Sequence, residues 1–594
     1  MPSQWEWAAL AAAAVGAVLW PRLHARVPRG LRVAIERLAG PVVCVAASAA
    51  TWLTWLELAP SLAPAGADYE GYYLSALAFE TDQFHLYARD RYPGYPWLAS
   101  LLARSGHQVH LAGAMLNMGA LCLSTAAIYS LVRTMAGRGA AFVAVLLALR
   151  LSVVLDLGRT FTHYPLAAAL DLGLLAAAVH LVRTRHLRWA GAIGLLSAAA
   201  ASTDPKQAVV VLAVGLTATV SVLRAPATRG LRAVAVGSLW LPLELLNQAV
   251  ARLPVQLYTL EEVSTRVQLH FTVHPDLLAH AADGFRLGEP GAWLEVLGSL
   301  WRTSRGITPE AGQEGLFSPL ALEGLQLVYG TTSAFWLGGW LLLVGLVFVP
   351  RTDRTLSLGG PLDRAMVAAL LLLPAAVAWP NLHLHYQHRY VIFPAVAAVV
   401  LAIAGLGRAA PGAGLFAGVV AVIWPGSPWQ GVDLDYLERE NRRADLWAGP
   451  EAVVDLQTLS WAQANLPANA HVFDMAEFRA MPTLAAAFPY QRCNTQHDAC
   501  AEAMANADGP LVANVWTREN LSARLPSGPQ GTLPGSDQPG GGLPGVLGSC
   551  WSLVLDITPD NGLYVWSCPD ARPKPSRVQV APPPPPPLPD RSGG

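Results

Sequence analysis

Residues 67–100 read ADYEGYYLSALAFETDQFHLYARDRYPGYPWLAS. The stretch holds five acids (Asp68, Glu70, Glu80, Asp82 and Asp90), six tyrosines and several bases. It stands between two apolar runs, Leu38–Leu58 and Val109–Val132. Each run approaches the roughly 20 residues a helix needs to cross a bilayer's hydrocarbon. A chemically varied loop between two such runs makes the chain a polytopic membrane protein and marks the loop as the first place to look for a site.

The rest of the chain agrees. Of its 594 residues, 53% are hydrophobic and only 14% charged, and mean hydropathy is +0.36. A window of about 19 residues gives about twelve apolar segments. These are Trp5–Trp20, Leu38–Leu58, Val109–Val132, Gly139–Leu155, Tyr164–Val182, Trp189–Ser202, Gln207–Val222, Leu231–Val250, Thr332–Val349, Met366–Ala378, Val391–Leu406 and Gly412–Trp424. The first has no basic residues before it, so it reads as a membrane segment rather than a cleaved signal peptide. A net charge of -1 gives no general attraction to nucleic acid. Lysine occurs only at Lys206 and Lys574, a bias that fits a GC-rich bacterial genome.

Alternate loops carry the arginines: Arg22 to Arg37, then Arg133 and Arg138, Arg183 to Arg188, Arg224 to Arg232, Arg351 to Arg364, and Arg408. The positive-inside rule makes these loops cytoplasmic. The opposite loops, 61–108 and 251–330 among them, then face outward, together with everything after Trp424. The expected location is a bacterial cytoplasmic (inner) membrane, crossed many times. Within the long loop, Pro275–Ala282 and Ala292–Trp301 are amphipathic and suit the interface plane.

The organisation that follows is a membrane domain over 1–425, an extracytoplasmic α/β domain over 426–580, and a proline-rich disordered tail over 581–594. In the second domain Val453–Leu466 has helical spacing. His471–Met475, Leu511–Trp516, Trp551–Ile557 and Leu563–Trp566 read as strands. Cys493, Cys500, Cys550 and Cys568 all fall there, and in an oxidising compartment four cysteines suggest two disulfides. Proximity favours Cys493–Cys500 and Cys550–Cys568. A zinc site is the competing reading, against which the absence of a CxxC pair counts.

Several motifs recur in a telling order. Asp68 opens the first outer loop, and the aromatic–proline element Tyr92-Pro93-Gly94-Tyr95-Pro96-Trp97 follows. A Thr-Asp-Pro-Lys turn (203–206) ends the sixth segment, and a late Arg389-Tyr390 precedes Pro394 at a helix entry. Over roughly residues 38–425 this layout resembles the GT-C class of membrane glycosyltransferases, which includes protein O-mannosyltransferases and lipid A aminoarabinose transferases. The resemblance implies a helical membrane fold and transfer of a sugar from a polyprenyl-phosphate carrier to an acceptor (lipid, protein or polysaccharide) on the outer face.

By that resemblance Asp68 is the candidate base, with Glu70 beside it in place of the commoner pair of adjacent acids. A carboxylate at the membrane boundary can take a proton from an attacking hydroxyl. A phosphate leaving group needs cations and donors, for which the candidates are Arg389, Lys206, His388 and Arg159, with His163 close to Arg159 in sequence. Tyr72, Tyr92, Tyr95 and Asp82 are candidates for lining the substrate loop. The histidines of 381–390 (NLHLHYQHRY) make a metal thinkable, but none is favoured and no cofactor is expected. Glu244, Asn247 and Gln248 form a polar patch late in the eighth segment. A transporter or lipid flippase is the alternative of similar segment number, although no repeat between halves is visible.

Overall fold

The computed structural model describes residues 4–26, 28, 30, 69–88, 91–106, 109–149, 151, 154, 161–204, 207–255, 334–349, 358–383, 392–423, 458–474, 482–493, 503–516, 551–558 and 561–567. The chain divides into two compact units, Met1–Val453 and Val454–Gly594.

Among the described residues the first unit is helical throughout. Its helices are α1 (Gln4–Arg26), α2 (Tyr69–Thr81), α3 (Gly94–Arg104), α4 (Val109–Ala136), α5 (Arg138–Leu149), α6 (Tyr164–Thr184) and α7 (Arg188–Thr203). They continue with α8 (Ala208–Leu223), α9 (Arg229–Ala251), α10 (Ala334–Phe348), α11 (Pro361–His383), α12 (Ile392–Ala409) and α13 (Ala413–Ile423). Every apolar run read from the sequence coincides with a helix, except Leu38–Leu58, which lies outside the described residues. Among the described residues four stretches, Leu111–Ala136, Tyr164–Thr184, Arg229–Ala251 and Ile392–Ala409, are long and apolar enough to cross a membrane.

The sequence explains which helix is central. α6 is apolar on every side and is buried on every side, from Tyr164 to Val182 with few breaks, as expected of a helix at the heart of a bundle. α8 is apolar on every side too, yet it leaves Val209, Leu212, Leu216, Val220 and Leu223 exposed. That stripe recurs at helical spacing and suits contact with lipid tails. Small residues let neighbouring helices approach closely. A side chain on Gly405 of α12 would collide with the backbone carbonyl of Gly339 on α10.

The arginine turns gather at one end of this bundle. Arg185, which ends α6 in the left-handed region at φ 55, grips the buried carboxylate of Asp363 on α11 through Nη2, at 2.6 and 2.7 Å. Arg224, after α8, reaches the same carboxylate at 3.2 Å. Arg408 of α12 donates to the Met135 carbonyl of α4, and Arg364 of α11 to the Phe348 carbonyl of α10.

Residues 69–104 are more ordered than a polar loop suggests. α2, a 3-10 turn (Phe84–Leu86) and α3 fold them into a hairpin of helices. The cause is the apolar run from Tyr72 to Phe79, which is buried throughout, while Asp82 and Arg104 stay at the surface.

The second unit contains a five-stranded mixed sheet of β1 (His471–Asp474), β2 (Tyr490–Arg492), β3 (Leu511–Trp516), β4 (Trp551–Thr558) and β5 (Asn561–Trp566), ordered β2-β1-β3-β5-β4. β1 runs parallel to β2 and β3, and β5 runs antiparallel to β3 and β4. Val472, Phe473, Val512 and Ala513 are buried, the near-continuous apolar reading that internal parallel strands show. Asp474, buried at the end of β1, accepts from Tyr490 Oη at 2.6 Å and from Asn514 Nδ2 at 3.0 Å. Cys493 follows β2 and is buried. Cys500, Cys550 and Cys568 lie outside the described residues, so the expected pairing stays an expectation.

Candidate active site

The two halves of the helical hairpin meet through tyrosines. Tyr72, one turn into α2, stands edge-on to Tyr95 in the first turn of α3, with ring centroids 5.4 Å apart at 81°. Tyr95 is fully buried and donates its hydroxyl to the Gly113 carbonyl of α4 at 3.3 Å. Burial pushes its ionisation upward. Phe161 packs edge-on to Tyr95 at 5.8 Å and to Tyr73 at 5.9 Å.

Tyr72 is also flanked by cations and potential cations. The Arg91 guanidinium lies 5.1 Å from its ring centroid, a cation–π distance. The His163 imidazole lies 4.9 Å away at 39°. His163 caps the start of α6, and its Nε2 stands 3.0 Å from Asp204 Oδ2, both side chains being buried. A carboxylate only accepts, so the shared proton sits on Nε2. Asp204 ends α7, and its negative charge, after burial, raises the ionisation of Tyr92. Asp171, buried on α6, faces Gln207 and Asp204.

α3 is brought against α7 by a glycine. A Cβ on Gly94 would stand 2.7 Å from the Ser202 carbonyl oxygen, closer than atoms of the backbone tolerate. The aromatic–proline element therefore has glycine at the point where two helices touch.

The structure thus brings together Tyr72 and Tyr95 directly, and Tyr92 through Asp204. It sets Asp82 apart. That residue follows the far end of α2, roughly 15 Å along the helix from Tyr72 at 1.5 Å per residue. There it adopts φ 58, a conformation aspartate tolerates, and stands 3.6 Å from Arg104. Glu70 falls in the first turn of α2, without a described side chain. Asp68, Arg159, Lys206, His388 and Arg389 lie outside the described residues. Among the described residues no group of three or more His, Cys, Asp or Glu could share a metal ion.

The sequence marks His163 as a second-rank candidate beside Arg159 and does not single out Asp204 or Gln207. The signal was present, because His163 precedes a Tyr-Pro helix start and Asp204 lies within the Thr-Asp-Pro-Lys turn. Their meeting across 41 positions is a tertiary fact.

No protein-family model matches the chain, and no curated protein matches it. Among solved structures, the chain is similar to ArnT from Cupriavidus metallidurans bound to undecaprenyl phosphate. Identity is 13%, covering 89% of this chain and 98% of that one, at a TM-score of 0.42. It is also similar to the apo form of the Archaeoglobus fulgidus oligosaccharyltransferase, at 13% identity, 81% and 70% coverage and a TM-score of 0.46.

Proposed function

We propose that this protein is a membrane glycosyltransferase that moves a sugar from a polyprenyl-phosphate donor to an acceptor at the outer face of the cytoplasmic membrane. The observation that carries the reading is a convergence. Tyr72, His163 and Asp204 pack together, Phe161 joins them through Tyr95, and each belongs to a stretch that bears a candidate residue. Asp68 and Glu70 lie four and two positions before Tyr72, Arg159 two before Phe161, and Lys206 two after Asp204. Two residues span at most about 7 Å. Four residues span at most about 14 Å, so chain length supports grouping a base and two phosphate-binding cations in one site. Ile392, three positions after Arg389, begins α12, whose other end reaches the arginine end of the bundle.

The chemistry is a displacement. The acceptor hydroxyl gives its proton to the Asp68 carboxylate as its oxygen bonds to the sugar's anomeric carbon. The bond from that carbon to the phosphate oxygen breaks, and the polyprenyl phosphate leaves with the electron pair. Arg389, Lys206, Arg159 and His388 offset the charge that develops on it. Attack opposite the leaving group inverts the anomeric centre. Asp68 works best as a base where partial desolvation brings its ionisation toward the working pH. The arginine-bearing end of the bundle, placed inward by the positive-inside rule, leaves the tyrosine cluster on the outer side. The second unit, outward by the same rule, is suited to acceptor recognition.

Purified protein in nanodiscs, given a panel of radiolabelled polyprenyl-phosphate sugars and membrane extract as acceptor, tests the reading. Release of free carrier phosphate from one donor is the expected result.

A further inference from the structure

We infer that His163, held by Asp204, is a positioning residue for the transfer: it fixes the first turn of α2, which carries Glu70, through the ring of Tyr72. The inference rests on the transferase reading above and adds to it a pair of residues that touch no substrate.

The geometry is a chain of contacts with an anchored end. Asp204 is fixed as the C-cap that follows α7, where its backbone N–H bonds to the Ala200 carbonyl. Its carboxylate accepts a hydrogen bond from His163 Nε2, which fixes the imidazole's orientation. On α2 the imidazole lies against Tyr72, with ring centroids 4.9 Å apart. Tyr72 is further held by Tyr95 edge-on and by Arg91. Arg91 is itself tied in, because Tyr87 donates its hydroxyl to the Arg91 carbonyl at 2.7 Å. Tyr72 and Glu70 share the first turn and a half of α2, so tilt of the tyrosine ring moves the turn that carries Glu70.

A histidine that only fills a core would cost stability when replaced and nothing else. A positioning residue costs rate, since misplacement of a reacting group by about 1 Å lowers turnover on the order of 100-fold.

The variants are His163→Gln, Asp204→Asn and, as a control for destabilisation at the opposite end of the bundle, Asp363→Asn. Steady-state kinetics with the donor that wild-type protein turns over should show kcat lowered about 10- to 100-fold in His163→Gln and Asp204→Asn. The donor KM should stay within about twofold, and Asp363→Asn should keep the parental kcat below its melting temperature. Hydrogen exchange over 69–81 should accelerate in the first two variants alone.

Wild-type turnover with parental kcat in both site variants would overturn the inference and leave the transferase reading standing. So would a rise in KM at constant kcat, or an equal kcat loss in Asp363→Asn. Absence of turnover by wild-type protein across the whole donor panel would instead overturn the transferase reading.

Discussion

His163 Nε2 lies 3.0 Å from Asp204 Oδ2, joining the residue that caps α6 to the residue that ends α7. Tyr72, against the same imidazole, connects that junction to the helix beginning after Asp68. Three segments far apart in sequence meet there, and the predictions below probe that packing.

Gly94→Ala should disturb the site from a distance. The new methyl would meet backbone atoms of Ser202, 2.7 Å from its carbonyl oxygen, and backbone yields less readily than a side chain. The expected cost is about 1–3 kcal/mol of overpacking strain, visible as a lower melting temperature in detergent. Adding Ser202→Ala should not restore it, because the carbonyl remains.

Asp363→Asn should destabilise strongly. Its carboxylate is buried and gathers Arg185 and Arg224, so neutralising it leaves two guanidinium groups facing each other. Breaking a buried pair costs about 3–5 kcal/mol, reduced here because Arg224 is partly exposed. Arg185→Lys should cost less than Asp363→Asn but still be measurable, since lysine keeps the charge and loses the two-point grip.

Tyr95 separates packing from hydrogen bonding. Tyr95→Phe removes the bond to the Gly113 carbonyl and should cost about 1 kcal/mol. Tyr95→Ala removes the ring from a fully buried place among Tyr72 and Phe161 and should cost about 3–5 kcal/mol. Thermal melts of the two variants provide the comparison.

Glu80 gives a pH signature. Burial raises its ionisation above 4.5, and the nearby Arg104 only partly offsets this. A carboxyl that holds its proton more tightly when folded stabilises fully below the unfolded value. That contribution fades as pH climbs through the folded one. Glu80→Gln should therefore raise the melting temperature at pH 7 and leave it nearly unchanged at pH 4, while Arg104→Leu should lower it at pH 7. A melt series from pH 4 to 8 reads both.

The helices of the first unit were legible because hydropathy is a one-dimensional signal: runs such as Tyr164–Val182 and Val391–Leu406 carry it in full. Strands β1, β3, β4 and β5 were legible for a similar reason, whereas β2, three residues reading Tyr-Gln-Arg, has too little pattern to show. The burial of Tyr72 and Tyr95 was not legible, because a segment with five acids looks like surface. Glu80 and Asp82 sit at the far end of α2 and the buried Tyr72 and Tyr73 nearer its start, a division that only the folded hairpin displays. The pairing of His163 with Asp204 was the least accessible, since neither residue has a sequence neighbour that announces the other.

The measurement that tests the account most directly is carrier release from radiolabelled polyprenyl-phosphate sugars by wild-type protein and by Asp68→Asn in nanodiscs. The account predicts turnover of one donor by the wild type and a fall of at least about 100-fold in the variant, the lower range for loss of a general base. Turnover that survives Asp68→Asn would contradict the assignment of the base, and no turnover of any donor would contradict glycosyl transfer itself.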